Sequence, residues 1–201
     1  MKIEIIIFDV GNVILKANHE ITFKILRDLG VSEKRIKTFF KNKDYQEFSR
    51  GNINNKKFYQ TLVEKYLQHN LSYDQIVNAH NQHIYEVDEE VIKLFQKLSP
   101  SKLVFLTDTN TWQTDREKEL INLLSYSDTI FRSHKMHMLK IDKNCFPHII
   151  NQLKCNPHQI LLIDDSIEKI KAAQKYGLKT IQFKNPKQLV ESLNKMKLLS
   201  K

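Results

Sequence analysis

Residues 3 to 14 read IEIIIFDVGNVI, an apolar run that stops on an acid, turns at a glycine and becomes apolar again. Few folds accept such a run. Isoleucine and phenylalanine with no polar alternation describe a strand covered on both faces, and such strands lie in the middle of parallel sheets. The carboxyl end of that strand is Asp9. In open α/β sheets ligands bind in the crevice beyond the strand ends, so an acid placed there by a stiff strand is positioned for chemistry.

Further strands are expected at residues 103 to 107, 160 to 164 and 180 to 183, with a weaker one at 129 to 132, and helical patterns fill the intervals. Strand alternating with helix is the pattern of an α/β fold with a doubly wound parallel sheet. The interval from Leu15 to Val87 differs. It carries helical periodicities only, among them a capping box at Ser72 and Gln75, and a turn at SRGN, residues 49 to 52. A parallel crossover needs about a dozen residues. The interval is several times longer, so we expect residues 1–14 and 91–201 to form the core, with residues 15–90 inserted as a helical cap.

If the strands are right, their ends carry Asp9, Thr107 and the pair Asp164 and Asp165, with Lys140 in the segment before the strand that ends in that pair. The set is chemically complementary. Carboxylates hold a hard divalent cation such as Mg²⁺, a hydroxyl and an ammonium hold phosphoryl oxygens, and an aspartate attacks phosphorus. The net charge of +9 comes mostly from scattered lysines, with no run of five like charges, so it argues against nucleic acid as a partner and suits small anions. No apolar run approaches the ~20 residues of a membrane helix, and the start does not resemble a secretory signal. Two cysteines without metal-binding spacing fit reduced thiols, so a cytoplasmic protein is expected.

FDVGNVI, LTDTN, the lysine of HMLKIDKNCF, and LLIDDSIEKIKAAQKYGLKTIQF resemble, in order, the four motifs of the haloacid dehalogenase (HAD) superfamily. The nearest resemblance is to small sugar-phosphate phosphatases of the glucose-1-phosphate phosphatase type, which also carry glycine two positions after the nucleophile. SRGNINNKKFYQTL resembles the glycine turn and following helix of the family's cap. The resemblance implies Mg²⁺-dependent hydrolysis of a small phosphorylated metabolite through an aspartyl-phosphate. It makes Asp9 nucleophile and metal ligand, Lys140 the catalytic cation, and Thr107, Asp108, Gly11 and Lys140 the phosphate binders. Gly11, Asp164 and Asp165 complete the metal site, Gly11 through its carbonyl.

Three positions depart from the family pattern. Gly11 stands where most members have an acid that protonates the leaving group, Asp108 where asparagine is usual, and Ile141 where proline is usual. These departures support a second reading, a catalytically weak HAD-like protein that binds a phospho-ligand or a protein partner without efficient turnover. The histidine pairs His80 with His83 and His134 with His137 are expected to be exposed or partly packed, with one of the second pair able to reach the substrate.

Overall fold

The computed structural model describes residues 2–99 and 102–200. A five-stranded, wholly parallel sheet is built from β1 (Ile5–Phe8), β4 (Lys102–Thr107), β5 (Ile130–Arg132), β6 (Ile160–Asp164) and β7 (Lys179–Gln182), in the order β5-β4-β1-β6-β7. All five expected strands are in it. β1 is central, and the chain runs outward through β4 to β5 before crossing back to β6. The crevice on either side of β1 is therefore the topological switch point at which ligands bind.

Alternation along the strands divides the core into two layers. Ile6 and Phe8 join Phe105, Leu161 and Ile163 on one face, covered by α6 (Glu89–Phe95) and α11 (Pro186–Lys195). Ile5 and Ile7 join Val104, Leu106 and Leu162 on the other, covered by α9 (Cys145–Leu153) and α10 (Ile167–Gln174). Phe8 is fully buried, and truncating such a side chain to alanine costs about 3–5 kcal/mol.

The inserted interval has its own apolar cluster. Helices α1 (His19–Asp28), α2 (Glu33–Ile36), α3 (Lys43–Ser49), α4 (Asn55–Thr61) continued by a π-helical turn Leu62–Leu67, and α5 (Tyr73–Asn81) bury Leu26, Ile36, Phe48, Phe58, Leu62 and Ile76 together. The capping box at Ser72 and Gln75 is present at the start of α5. Trp112, on α7 (Thr111–Leu120), belongs to the same cluster although α7 follows β4.

The interval is not purely helical. β2 (Leu15–Ala17) and β3 (Ile84–Val87) form an antiparallel ribbon where the chain leaves and re-enters the sheet region. The ribbon is extended by Asn18 N to His83 O at 2.8 Å and Asp88 N to Ile14 O at 2.7 Å. Three and four residues are too few for a period-2 pattern to emerge. The partnership across some 70 positions is what makes them strands.

Candidate active site

β1 and β6 pair in register, with Phe8 opposite Ile163, and Asp9 N donates to Ile163 O at 2.9 Å. Asp9 and Asp164 therefore face each other across one strand spacing. Lys140 joins them. Its ammonium lies 2.7 Å from Asp9 Oδ1 and 2.7 Å from Asp164 Oδ2, and none of it is exposed. Val10 N also donates to Asp9 Oδ1 at 2.6 Å, which fixes the carboxylate plane. A buried ammonium between two carboxylates is tolerated only because all three are paired.

The charges shape one another. Desolvation works to raise the Asp9 pKa, but Lys140, Lys169 and the Val10 N–H together hold it below the ordinary carboxylate value. Asp164 goes the other way, to about 7, through burial and the adjacent Asp9 charge. Asp165 completes the acidic group: Asp9, Asp164 and Asp165 each bring a carboxylate oxygen within 4.8 Å of the others. Lys140 occupies one oxygen each of Asp9 and Asp164, and Ser166 N donates to Asp164 Oδ1 at 2.9 Å. Carboxylate oxygens are the hard donors a Mg²⁺ ion takes.

These residues border a cavity of about 340 Å³ lined at its floor by Asp9, Gly11, Thr107, Asp108, Asp165 and Lys169. Thr107 is buried at the end of β4. Asp108 does not turn a free carboxylate into the cavity: its Oδ1 accepts from Lys140 N at 2.9 Å, and its Oδ2 lies 3.5 Å from Lys169 Nζ. Lys140 lies behind Asp9 rather than in the lining, and Ile141 is 52% exposed. Gly11 is outside the left-handed region, which Asn12 occupies at φ 55°, and a Cβ added at Gly11 would meet nothing within 4 Å.

The lining also includes the apolar Leu15, Ala17 and Ile84 and the polar His19, His83, Gln113 and Glu117. The capping box of α7 orients Gln113, because its Oε1 takes both Asn110 N and Nδ2. Its amide nitrogen therefore donates to His83 Nε2 at 3.3 Å, and His83 Nδ1–H is left to meet His80 O. His83 is thus a neutral acceptor, and burial lowers its pKa to about 4. His80 and His83 are fully buried rather than exposed or partly packed as expected, because both pack against Phe40 and each other, and His80 also against Trp112. His134 is buried against Thr109 O and His137 is exposed, and neither lines the cavity.

Sequence reasoning missed Lys169, His19, His83, Gln113 and Glu117. Lys169 had a signal, since it lies four residues after Asp165 in the first turn of α10. The others depend on how β2, β3 and α7 meet, which no local pattern encodes.

The fold is a parallel α/β sheet with a cluster of aspartates at its switch point. The family model of haloacid dehalogenase-like hydrolases matches residues 6–183, and the chain belongs to that family. A protein from Porphyromonas gingivalis described as a predicted HAD-like family hydrolase superposes with TM-score 0.85 at 22% identity, covering 100% of both chains. A HAD family enzyme from Bacteroides thetaiotaomicron, in complex with magnesium and inorganic phosphate, superposes with TM-score 0.82 at 22% identity, covering 90% of this chain and 94% of that one. The family model carries the superfamily and the structural likenesses carry the fold; neither carries the glucose-1-phosphate phosphatase subtype. Among the described residues no helix is long and apolar enough to cross a membrane.

Proposed function

We propose that the protein is a Mg²⁺-dependent phosphatase that hydrolyses a small phosphorylated metabolite through an aspartyl-phosphate on Asp9, with a sugar phosphate as the best-fitting class. The observation that carries this reading is the buried Asp9, Lys140 and Asp164 triad set beside Asp165 under the cavity. The magnesium and phosphate bound by the Bacteroides enzyme support it. Asp9, Asp165 and the Gly11 carbonyl are the ligands assigned to Mg²⁺, with Asp164 beside them; the ion would supply charge neutralisation for the phosphoryl oxygens.

Asp9 attacks phosphorus, the bond to the leaving oxygen breaks, and that oxygen takes its proton from water. Water then attacks the aspartyl-phosphate, releasing phosphate and restoring the Asp9 carboxylate. Thr107 donates its hydroxyl to a phosphoryl oxygen, and the Asp108 N–H serves the same group. Lys140 keeps Asp9 ionised and offsets charge that builds up beside it. Residues 15–90 act as the cap that closes the cavity and excludes water.

No acid stands at position 11, and His83 is a neutral acceptor, so the leaving group departs unassisted. Such an enzyme favours weakly basic leaving groups, and an anomeric oxygen is less basic than an ordinary alkoxide. Glu117 is buried and paired with Arg132, and Gln113 is held between Asn110 and His83, so beyond Lys169 the lining offers no unpaired cation for an anionic leaving group and suits a neutral one.

A series of aryl phosphates, assayed with Mg²⁺ under single-turnover conditions beside Asp9→Asn, tests the reading. Rate should fall steeply with leaving-group basicity and vanish in Asp9→Asn. Because the Gly11 position is open, Gly11→Asp should flatten the series. A wild-type series that is already flat would refute the unassisted step. Absence of Asp9-dependent turnover throughout would leave phospho-ligand binding as the activity.

A further inference from the structure

Lys169 is the single lysine or arginine among the residues lining the cavity. Its ammonium lies 3.7 Å from Asp9 Oδ2 and 3.5 Å from Asp108 Oδ2. Both distances exceed the 2.7–2.9 Å typical of a committed charge-assisted hydrogen bond, whereas Lys140 meets its partners at 2.7 Å. Lys169 is thus suspended between two carboxylates with donors to spare. Its place in the first turn of α10 is one the helix dipole disfavours for a cation. The side chain is 22% exposed, toward the cavity. Nothing about the helix itself calls for a lysine here.

Asp108 works at both ends. Oδ1 holds the backbone N–H of Lys140, and Oδ2 faces Lys169. An acid beside a phosphate cavity would repel the ligand unless paired, and Lys169 pairs it. Conversely, without Asp108 the ammonium would have Asp9 Oδ2 as its near partner and would settle on the nucleophile.

We propose that Lys169 is the cation that receives the phosphoryl group in the cavity, and that Asp108 is its positioning residue, holding the ammonium off Asp9 until the anion arrives. The proposal rests on the phosphatase reading and adds to it a residue and a pairing. As a phosphate enters, its oxygens replace carboxylates around the three N–H donors of Lys169. Burial works to depress the Lys169 pKa, but Asp9, Asp108, Asp164 and Asp165 together raise it, which keeps the charge in place.

The test uses the full chain as wild type, Lys169→Met, Lys169→Arg, Asp108→Asn and the Lys169→Met/Asp108→Asn double variant, with melting temperatures as the folding control. Binding of inorganic phosphate at saturating Mg²⁺ and binding of Mg²⁺ alone are measured by calorimetry. Lys169→Met should weaken phosphate binding at least about tenfold, the loss of one charge-assisted contact, without weakening Mg²⁺. Lys169→Arg should retain most of the binding. Asp108→Asn added to Lys169→Met should restore part of the loss, since it removes the carboxylate left unpaired. Unchanged phosphate affinity in Lys169→Met, with tighter Mg²⁺, would show Lys169 to be only a counterion of the acidic group and would overturn the proposal. So would strictly additive effects of the two substitutions, or a wild type that binds no phosphate. A wild type that binds phosphate through Lys169 but shows no Asp9-dependent turnover would overturn the catalytic reading alone.

Discussion

Arg50 and Asp142 tie the inserted helices to the segment carrying Lys140, and removing either should show how strongly. Arg50 follows α3, and its fork meets both Asp142 oxygens, Nε to Oδ2 at 2.9 Å and Nη2 to Oδ1 at 2.8 Å. The side chains are 18% and 29% exposed, so solvent screens the pair only in part. A hydrogen bond to a charged group nets about 1.5–3 kcal/mol, and partial exposure places this pair toward the lower end. We expect Arg50→Ala to cost about 2 kcal/mol, or about 4–8 °C in melting temperature for a chain of this size. Asp142 also accepts Leu139 N at 2.8 Å, and Arg50 also meets Glu47 at 3.1 Å in a local pair worth about 0.5 kcal/mol, so Asp142→Ala should cost about 0.5 kcal/mol more. A double-mutant cycle by urea denaturation, with Asp142→Asn as the variant that keeps the Leu139 bond, separates the two contributions. Hydrogen bonding to Arg50 is the largest cause that lowers the Asp142 pKa. Its folded value lies below its unfolded one, so the pair's stabilisation is complete above about pH 4. It is lost as pH falls through the folded value, and the gap between wild type and Arg50→Ala should close in acid. Equal losses in Arg50→Ala and Asp142→Ala, or a gap that widens in acid, would refute the reasoning.

Lys140→Met leaves two buried carboxylates facing each other and should destabilise by about 3–5 kcal/mol, read as a fall in thermal midpoint. Mg²⁺ should raise the midpoint of the wild type, because a ligand bound only by the folded state stabilises it, and Asp165→Asn should remove most of that rise. Gly51→Ala should destabilise by more than about 2 kcal/mol, measured in urea: Gly51 sits at φ +71°, and an added Cβ would collide with His134 O.

The sheet was legible because β1 and β6 are unbroken apolar runs ending on acids, and a run buried on both faces needs no partner to be recognised. The residues of the candidate site were legible for the same reason: Asp9, Thr107, Asp164 and Asp165 sit at or just after strand ends, where topology alone brings them together. Asp108 showed the limit. Its identity suggested repulsion of phosphate, and only the meeting of β4 with α10 reveals the lysine that pairs it. The ribbon of β2 and β3 was hidden for a related reason. Tyr85 and Glu86 face solvent, and the short strand ends beside a helix whose periodicity runs straight into it. His80 and His83 were misplaced because imidazole is polar in composition but aromatic in packing, and here a wall of rings decides.

Trp112 is the chain's sole tryptophan. It leaves the sheet part on α7 and packs edge-on against Phe48 at 4.9 Å, while its indole N–H donates to the Tyr73 hydroxyl at 2.9 Å. Its emission therefore reports from the seam between α7 and the inserted helices, on a residue next to the cavity-lining Gln113. Separation of the two parts would wet the ring and move its fluorescence to longer wavelength, and an undisturbed seam would leave the spectrum blue. Stopped-flow mixing with phosphate or Mg²⁺ can thus follow the seam in the unlabelled protein, in real time and through a single optical channel.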